Sequence, residues 1–369
     1  MSQAQPQGAP GRAELAARVA ALIDRLATGA RDDAARDALL RELLDWQRRN
    51  VPAFRRIVER LGAGSGDPLR WPAVPTDVFR ATRVASHPPQ ADLRVFRTSG
   101  TTAAARGCHH LRDLSLYDRA AQAAARHALF PDVDRMQLVV LAPPAAEALD
   151  SSLAYMLDRF AAWFGRGPSV YVLRGNELDA APLERTLAQA EGDGTPVALL
   201  GTSFAFVHAE QALGTRRFRL APGSRIMQTG GFKGRSREVE PAELLGWLAR
   251  RFAVRESCVV QEYGMTELSS QLYEHTLREA AAGAAPGPRR LVPPGWVRAS
   301  IVDPETLAEV AAGDEGLVRI DDLANVDTAC AIQTSDRGRA ETDGIVVLGR
   351  ASAAIARGCS IAVDAALGS

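Results

Sequence analysis

Apolar residues recur at three- and four-residue spacing through AELAARVAALIDRLA and DDAARDALLRELLDWQRR, which predicts helices across residues 13–60. Asp32 or Asp33 is placed to cap the second of them. GAGSGDPLRWPAVP follows as a Gly/Pro connector. Beyond residue 90 the pattern becomes short apolar runs alternating with helical ones. QLVVLAP (137–143), SVYVL (169–173), TPVALLGTS (195–203), SRIMQTGG (224–231) and SCVVQEYG (257–264) read as buried strands. Helical patterns lie between them at 151–164, 182–192, 204–213 and 238–252. This alternation predicts a largely parallel sheet covered on both faces, which presents ligand groups at the carboxyl ends of its strands. From residue 290, WVRASIVDP, GLVRIDDL and GIVVLGR read as strands joined by turns, hence a smaller β-rich lobe.

The expected organisation is a leader at 1–12, a helical N-terminal region at 13–90, an α/β nucleotide-binding body at 91–290, a β-rich lobe at 291–350 and a tail at 351–369. Hydrophobic residues at 46% and charged residues at 24% are ordinary for a globular protein. Basic and acidic residues balance at 44 each, so no net field favours a nucleic acid or an anionic membrane surface. The first residues are polar with no apolar h-region, and no apolar run approaches about 18 residues, so neither a signal peptide nor a membrane span is expected. The four cysteines are scattered, which fits free thiols in a cytoplasmic setting. His109, His110, His208 and His275 show no metal-ligand spacing, and no G-x-S-x-G elbow marks a serine hydrolase. Lys233 stands alone as the one lysine among 44 basic residues.

Four segments bear candidate chemistry. Thr98-Ser99-Gly100-Thr101-Thr102, followed by Arg106-Gly107, sets four hydroxyls around a glycine and suits phosphate oxygens, although such clusters are equally often plain loops. It is not a Walker A loop. Tyr263-Gly264-Met265-Thr266-Glu267 follows an apolar strand. Glu267 offers an oxygen for Mg²⁺, Thr266 a hydroxyl for phosphate and Tyr263 a face for a base; the plainer alternative is a capped helix start. Gly230 and Gly231, ahead of Lys233, permit close approach of a flat ligand where a strand-to-helix turn would otherwise suffice. Thr334-Ser335-Asp336, with Gly349-Arg350 beyond, puts an acidic residue after a strand, where it can accept from ribose hydroxyls or simply sit in a solvated turn.

Their order resembles the adenylate-forming superfamily of acyl- and aryl-CoA ligases, luciferases and peptide-synthetase adenylation domains. The superfamily's phosphate loop, Tyr-Gly-x-Thr-Glu, Thr-Gly-Asp and Gly-Arg motifs stand here as TSGTT (98–102), YGMTE (263–267), TSD (334–336) and GR (349–350). FRTSGTT, LLGTSFAF, TGGFKGRSRE, EYGMTELSSQLY and RGCS (357–360) resemble more narrowly a LuxE-type acyl-protein synthetase, from about residue 70 to the end. Ala103 replaces a superfamily glycine, and Arg106 stands near its usual lysine. Only 19 residues follow Arg350, so the superfamily's lid domain and its catalytic lysine have no counterpart in this chain.

The resemblance implies an α/β adenylate-forming-enzyme-like body without a full-length lid, using ATP and Mg²⁺. A carboxylic acid, by resemblance a fatty acid, attacks the α-phosphate, and the acyl group passes to Cys359 and on to an acyl-accepting reductase or carrier protein. In that reading Thr98, Ser99, Gly100, Thr101, Thr102 and Arg106 hold phosphates, and Glu267 holds Mg²⁺. Asp336 and Arg350 hold ribose, Gly230, Gly231, Tyr263 and Gly264 frame adenine, and Lys233, Arg106 or Arg235 replaces the lid lysine. Cys359, read without the resemblance, is a small buried hydrophobe; Cys108, Cys258 and Cys330 read as structural. The competing readings are a ligase acting on coenzyme A or a carrier protein, which needs no protein cysteine, and a non-catalytic nucleotide-binding protein.

Overall fold

The computed structural model describes residues 10–99, 106–175, 177–230, 240–285, 287–351 and 363–367. The chain forms two compact units. One is built from residues 1–120, 266–270 and 293–369, the other from 121–265 and 271–292.

In the first unit, helices Arg12–Leu26, Asp33–Asn50 and Pro52–Arg60 follow one another. Of the two expected caps, Asp32 serves: its side chain accepts from the amide of Ala35 at 3.0 Å. Pro52 opens the third helix, where its missing N–H is harmless. Their apolar stripes are buried, including Leu15, Val19, Ile23, Leu40, Leu43, Leu44, Phe54 and Ile57. The β-rich part is an antiparallel sheet of Val297–Val302, Glu315–Asp322, Ala331–Glu341 and Gly344–Arg350. The short strand Val74–Pro75 pairs in parallel with Ala331–Glu341. Three of these strands match the apolar patterning. Ala331–Glu341, the longest, does not, because polar residues fill it from Gln333 to Arg339. Thr334-Ser335-Asp336 therefore lies inside a strand rather than after one. Backbone pairing on both edges, to Glu315–Asp322 and to Gly344–Arg350, overrides the weak local propensity. A separate hairpin, Arg94–Arg97 against Cys108–Leu111, brackets the Ser/Thr loop.

In the second unit the strands Val170–Tyr171, Gln137–Leu141, Val197–Thr202, Arg225–Thr229 and Val259–Tyr263 run parallel in that spatial order. Leu272–Glu274 and Leu291–Val292 extend the sheet antiparallel. Val197–Leu200 are fully buried, as a strand covered on both faces requires. Helices Ser152–Phe164, Ala180–Asp193, Ser203–Leu213 and Pro241–Phe252 supply the cover. The first three are capped by Ser151, Asp179 and Thr202. Leu141, Leu187, Leu199, Phe206, Ile226, Leu248, Phe252 and Val259 form the core between helices and sheet. Because these strands are parallel, Ser203, Gly230 and Tyr263 all emerge at one edge, the carboxyl ends.

Among the described residues no helix is long and apolar enough to cross a membrane.

Candidate functional site

In the first unit the Ser/Thr loop is the connection of the 94–111 hairpin, and its neck is tied shut. The amide of Thr98 donates to the carbonyl of Gly107, and the amide of Gly107 donates to Thr98 Oγ1, both at 2.9 Å. Arg106 donates from Nε to the carbonyl of Thr98 at 2.6 Å and from a terminal nitrogen to that of Arg97 at 3.2 Å. Gly100, Thr101 and Thr102 lie outside the described residues, as do Gly231, Lys233, Arg235 and Cys359.

Glu267 belongs to the same unit and is buried at 5% exposure. Its Oε1 stands 3.5 Å from the point where a side chain at Gly107 would begin, and Thr98 Cγ2 stands 3.1 Å from that point. Thus the structure brings Thr98, Arg106, Gly107 and Glu267 together. Residues 266–267 form a turn and not the helix start that was the plainer reading. Among the described residues no group of three or more His, Cys, Asp or Glu is set to hold a metal. One buried carboxylate beside a bare glycine fits Mg²⁺, which commonly takes one or two carboxylates together with phosphate and water oxygens. It does not fit zinc, which prefers three or four protein ligands.

Asp336 and Arg350 are cross-strand partners, with Arg350 Nε 3.6 Å from Asp336 Oδ1. The Asp336 amide donates to Thr334 Oγ1 at 3.1 Å, so the Thr-Ser-Asp segment is locked from within.

In the second unit Gly230 directly follows the strand Arg225–Thr229 with φ of +72°, a left-handed conformation that glycine adopts without strain. Ser203 Oγ donates to the Gly230 carbonyl at 2.8 Å and so holds this turn. Next to it, Thr229 Oγ1 donates to Glu262 Oε2. Glu262 is 3% exposed, and burial raises its carboxyl from the ordinary 4.5 to about 7 against the lowering effect of the Thr229 hydroxyl. A Cβ at Gly264 would meet Glu262 Oε1, although the φ of Gly264 is not positive. A side chain at 264 would thus require the Glu262 carboxyl to shift.

Sequence reasoning gave no role in these sites to His109, Asp322 and Asn325 in the first unit or to Ser203 and Glu262 in the second. Asp322 accepts at Oδ2 from the amides of Ser269 and Ser270 and at Oδ1 from Ser270 Oγ and the Ala324 amide, all within 3.0 Å. Burial raises its carboxyl above the usual range despite these bonds. Cys108 is half-buried, its Sγ donating to the Arg106 carbonyl at 3.4 Å. Cys258 and Cys330 are buried, and desolvation raises the Cys330 thiol well above its normal value. His208 packs edge-on against Phe204 at 4.3 Å, and its buried Nε2 finds no hydrogen-bond partner among the described residues.

No protein-family profile and no curated protein sequence matches the chain. Solved structures do. An open conformation of 2-hydroxyisobutyryl-CoA ligase in complex with 2-HIB-AMP and CoA aligns with TM-score 0.60 and 14% identity over 86% of this chain and 75% of that one. The same ligase in the postadenylation state with 2-HIB-AMP gives TM-score 0.61 and 15% identity over 86% and 67%. ATP-bound MatB from Rhodopseudomonas palustris gives TM-score 0.44 and 16% identity over 69% and 47%, so the chain spans about half of that protein's length. The chain shares the fold of the 2-hydroxyisobutyryl-CoA ligase.

Proposed function

We propose that this protein activates a carboxylic acid as its acyl-adenylate and passes the acyl group to a thiol. The observation that supports it best is the buried Glu267 carboxylate standing beside Gly107 at the neck of the Ser/Thr loop. In this reading the backbone and hydroxyls of Thr98, Ser99, Gly100, Thr101, Thr102 and Thr266 receive the phosphates of ATP. Arg106, which donates to two carbonyls of the neck, shapes that loop. Glu267 holds Mg²⁺, which when bound neutralises charge on the phosphates. Asp336 and Arg350 hold the ribose. Gly230, Gly231, Tyr263 and Gly264 frame adenine, and Lys233 supplies a cation to the reacting phosphate.

The reaction balances in two steps. An oxygen of the substrate carboxylate bonds to the α-phosphorus while the bond to the bridging oxygen breaks, and pyrophosphate leaves with that oxygen. A thiolate then attacks the acyl carbon, and AMP departs with the carboxylate oxygen. The proposed thiol is Cys359, with Arg357 beside it to favour the thiolate, and a reductase or carrier protein takes the acyl group onward. The acid is a fatty acid by resemblance. A second reading, direct transfer to coenzyme A, gains support from the CoA complex described for the 2-hydroxyisobutyryl-CoA ligase.

The test is carboxylate-dependent exchange of pyrophosphate into ATP across a panel of aliphatic and aromatic acids, with Mg²⁺ and with EDTA. At least one acid should stimulate Mg²⁺-dependent exchange. If none does, and mass spectrometry detects no acyl-AMP, the activation reading is wrong.

A further inference from the structure

We propose that His109 and Asn325, backed by Gln47, are positioning residues that set the direction of the Glu267 side chain. The inference rests on the magnesium role proposed above for Glu267.

Residues 266–270 form turns and bends, with no ladder of their own to hold them. A residue's backbone has two soft dihedrals, flanked by two rigid peptide planes. Fixing both planes around Glu267 therefore fixes its φ and ψ, and with them the direction of its Cα–Cβ bond. The structure holds each plane by its carbonyl. On the leading side, His109 Nδ1 lies 2.8 Å from the Thr266 carbonyl, while His109 Nε2 lies 3.1 Å from Thr328 Oγ1. A carbonyl only accepts, so Nδ1 bears the proton and Nε2 accepts from the Thr328 hydroxyl. The ring is fully buried and meets Phe79 edge-on at 6.2 Å; desolvation lowers its pKa to about 4, so it stays neutral in this one tautomer.

On the trailing side, Asn325 Nδ2 donates to the Glu267 carbonyl at 2.8 Å and to that of Ala329 at 3.1 Å, and its Oδ1 accepts from Ser269 Oγ at 2.6 Å. Two carbonyls on one end and a hydroxyl on the other leave a single sensible orientation for the amide. Asn325 is itself anchored. Gln47, fully buried on the second helix, donates from Nε2 to the carbonyls of Asn325 at 2.6 Å and Val326 at 3.0 Å, and its Oε1 accepts from the Cys330 amide at 2.9 Å. A displacement of about 1 Å at a reacting group can cost on the order of 10²-fold in rate, which is the effect such a clamp prevents.

Two substitutions at one position separate positioning from mere structural support. In His109→Asn the amide stands near where Nδ1 stood and can still donate to Thr266. In His109→Gln it stands near Nε2, meets Thr328, and leaves Thr266 unheld. Asn325→Asp, nearly isosteric, replaces the donor to the Glu267 carbonyl by an acceptor. ATP affinity is measured by calorimetry with Mg²⁺ and with EDTA, beside thermal unfolding and the Mg²⁺ concentration that half-saturates pyrophosphate exchange. Wild type and His109→Asn should show the same Mg²⁺-dependent gain in ATP affinity. His109→Gln and Asn325→Asp should lose about tenfold of that gain and need more Mg²⁺, with ATP affinity in EDTA unchanged. If His109→Gln responds to Mg²⁺ as wild type does, this inference is overturned alone; if that variant does not fold, Asn325→Asp decides. If wild type itself shows no Mg²⁺-dependent gain, the magnesium reading falls and the inference with it.

Discussion

Arg106 closes the Ser/Thr loop onto Thr98, donating from Nε to its carbonyl at 2.6 Å while a second nitrogen reaches the carbonyl of Arg97. A cation here organises backbone before it meets any ligand.

Arg106→Ala should therefore act by loosening the loop. Losing charge-assisted bonds in a half-exposed site costs about 1–2 kcal/mol. The expected result is about a tenfold rise in the ATP concentration needed for exchange, with a smaller change in the saturated rate. Arg106→Lys, a single ammonium in place of a planar fork, should recover part of this. A variant that loses saturated rate but keeps ATP affinity would show that Arg106 acts on the transition state instead.

Glu267→Gln and Asp336→Ala should part company. Removing the carboxylate proposed to hold Mg²⁺ should cut exchange by roughly 10²-fold or more, with the fold intact. Removing the proposed ribose contact should mainly weaken ATP binding, by about 1–3 kcal/mol. Exchange rate and calorimetric ATP affinity, measured on both variants, distinguish the two roles. Near-normal exchange in Glu267→Gln would mean that the metal is held elsewhere.

Glu262 makes a pH prediction. Its carboxyl is raised from 4.5 to about 7 in the folded chain, so the native state binds the proton more tightly than the unfolded one. Its contribution to stability is fully present below pH 4.5 and is lost as pH rises through about 7. At about 1.4 kcal/mol per unit, the loss approaches about 3 kcal/mol. Urea unfolding of wild type and Glu262→Gln between pH 5 and 8 should show wild type falling relative to the variant. Parallel stability curves would place the Glu262 pKa back in the ordinary range.

Cys359→Ala should separate activation from transfer. Wild type incubated with labelled acid and Mg·ATP should take up label that hydroxylamine removes. The variant should exchange pyrophosphate yet remain unlabelled. Equal labelling of both would move the acceptor elsewhere, Cys108 first; label found only on added coenzyme A would favour the second reading.

The parts of this fold that show in the sequence are those written locally. Val197–Leu200 announces a buried strand by four consecutive apolar residues, and the pair Asp32-Asp33 announces a helix start, though not which of the two caps it. Ala331–Glu341 does not announce itself, since its pairing comes from both neighbours and its own residues from Gln333 onward are polar. The groups that steady Glu267 are harder still. Gln47 and Asn325 look like ordinary surface amides, and their meeting joins positions 278 residues apart. A buried polar residue is recognisable only through its partners, and those are supplied by the finished fold.

The closeness of Glu262 to Gly264 sets the two positions in competition for one volume. Gly264→Ala should disrupt the chain more than its backbone conformation suggests, because the new methyl group meets a buried carboxyl oxygen. Shrinking residue 262 at the same time should relieve it, so the two substitutions compensate each other. Across divergent chains of this fold, the pair should then vary in concert, a side chain appearing at 264 only where 262 has become small.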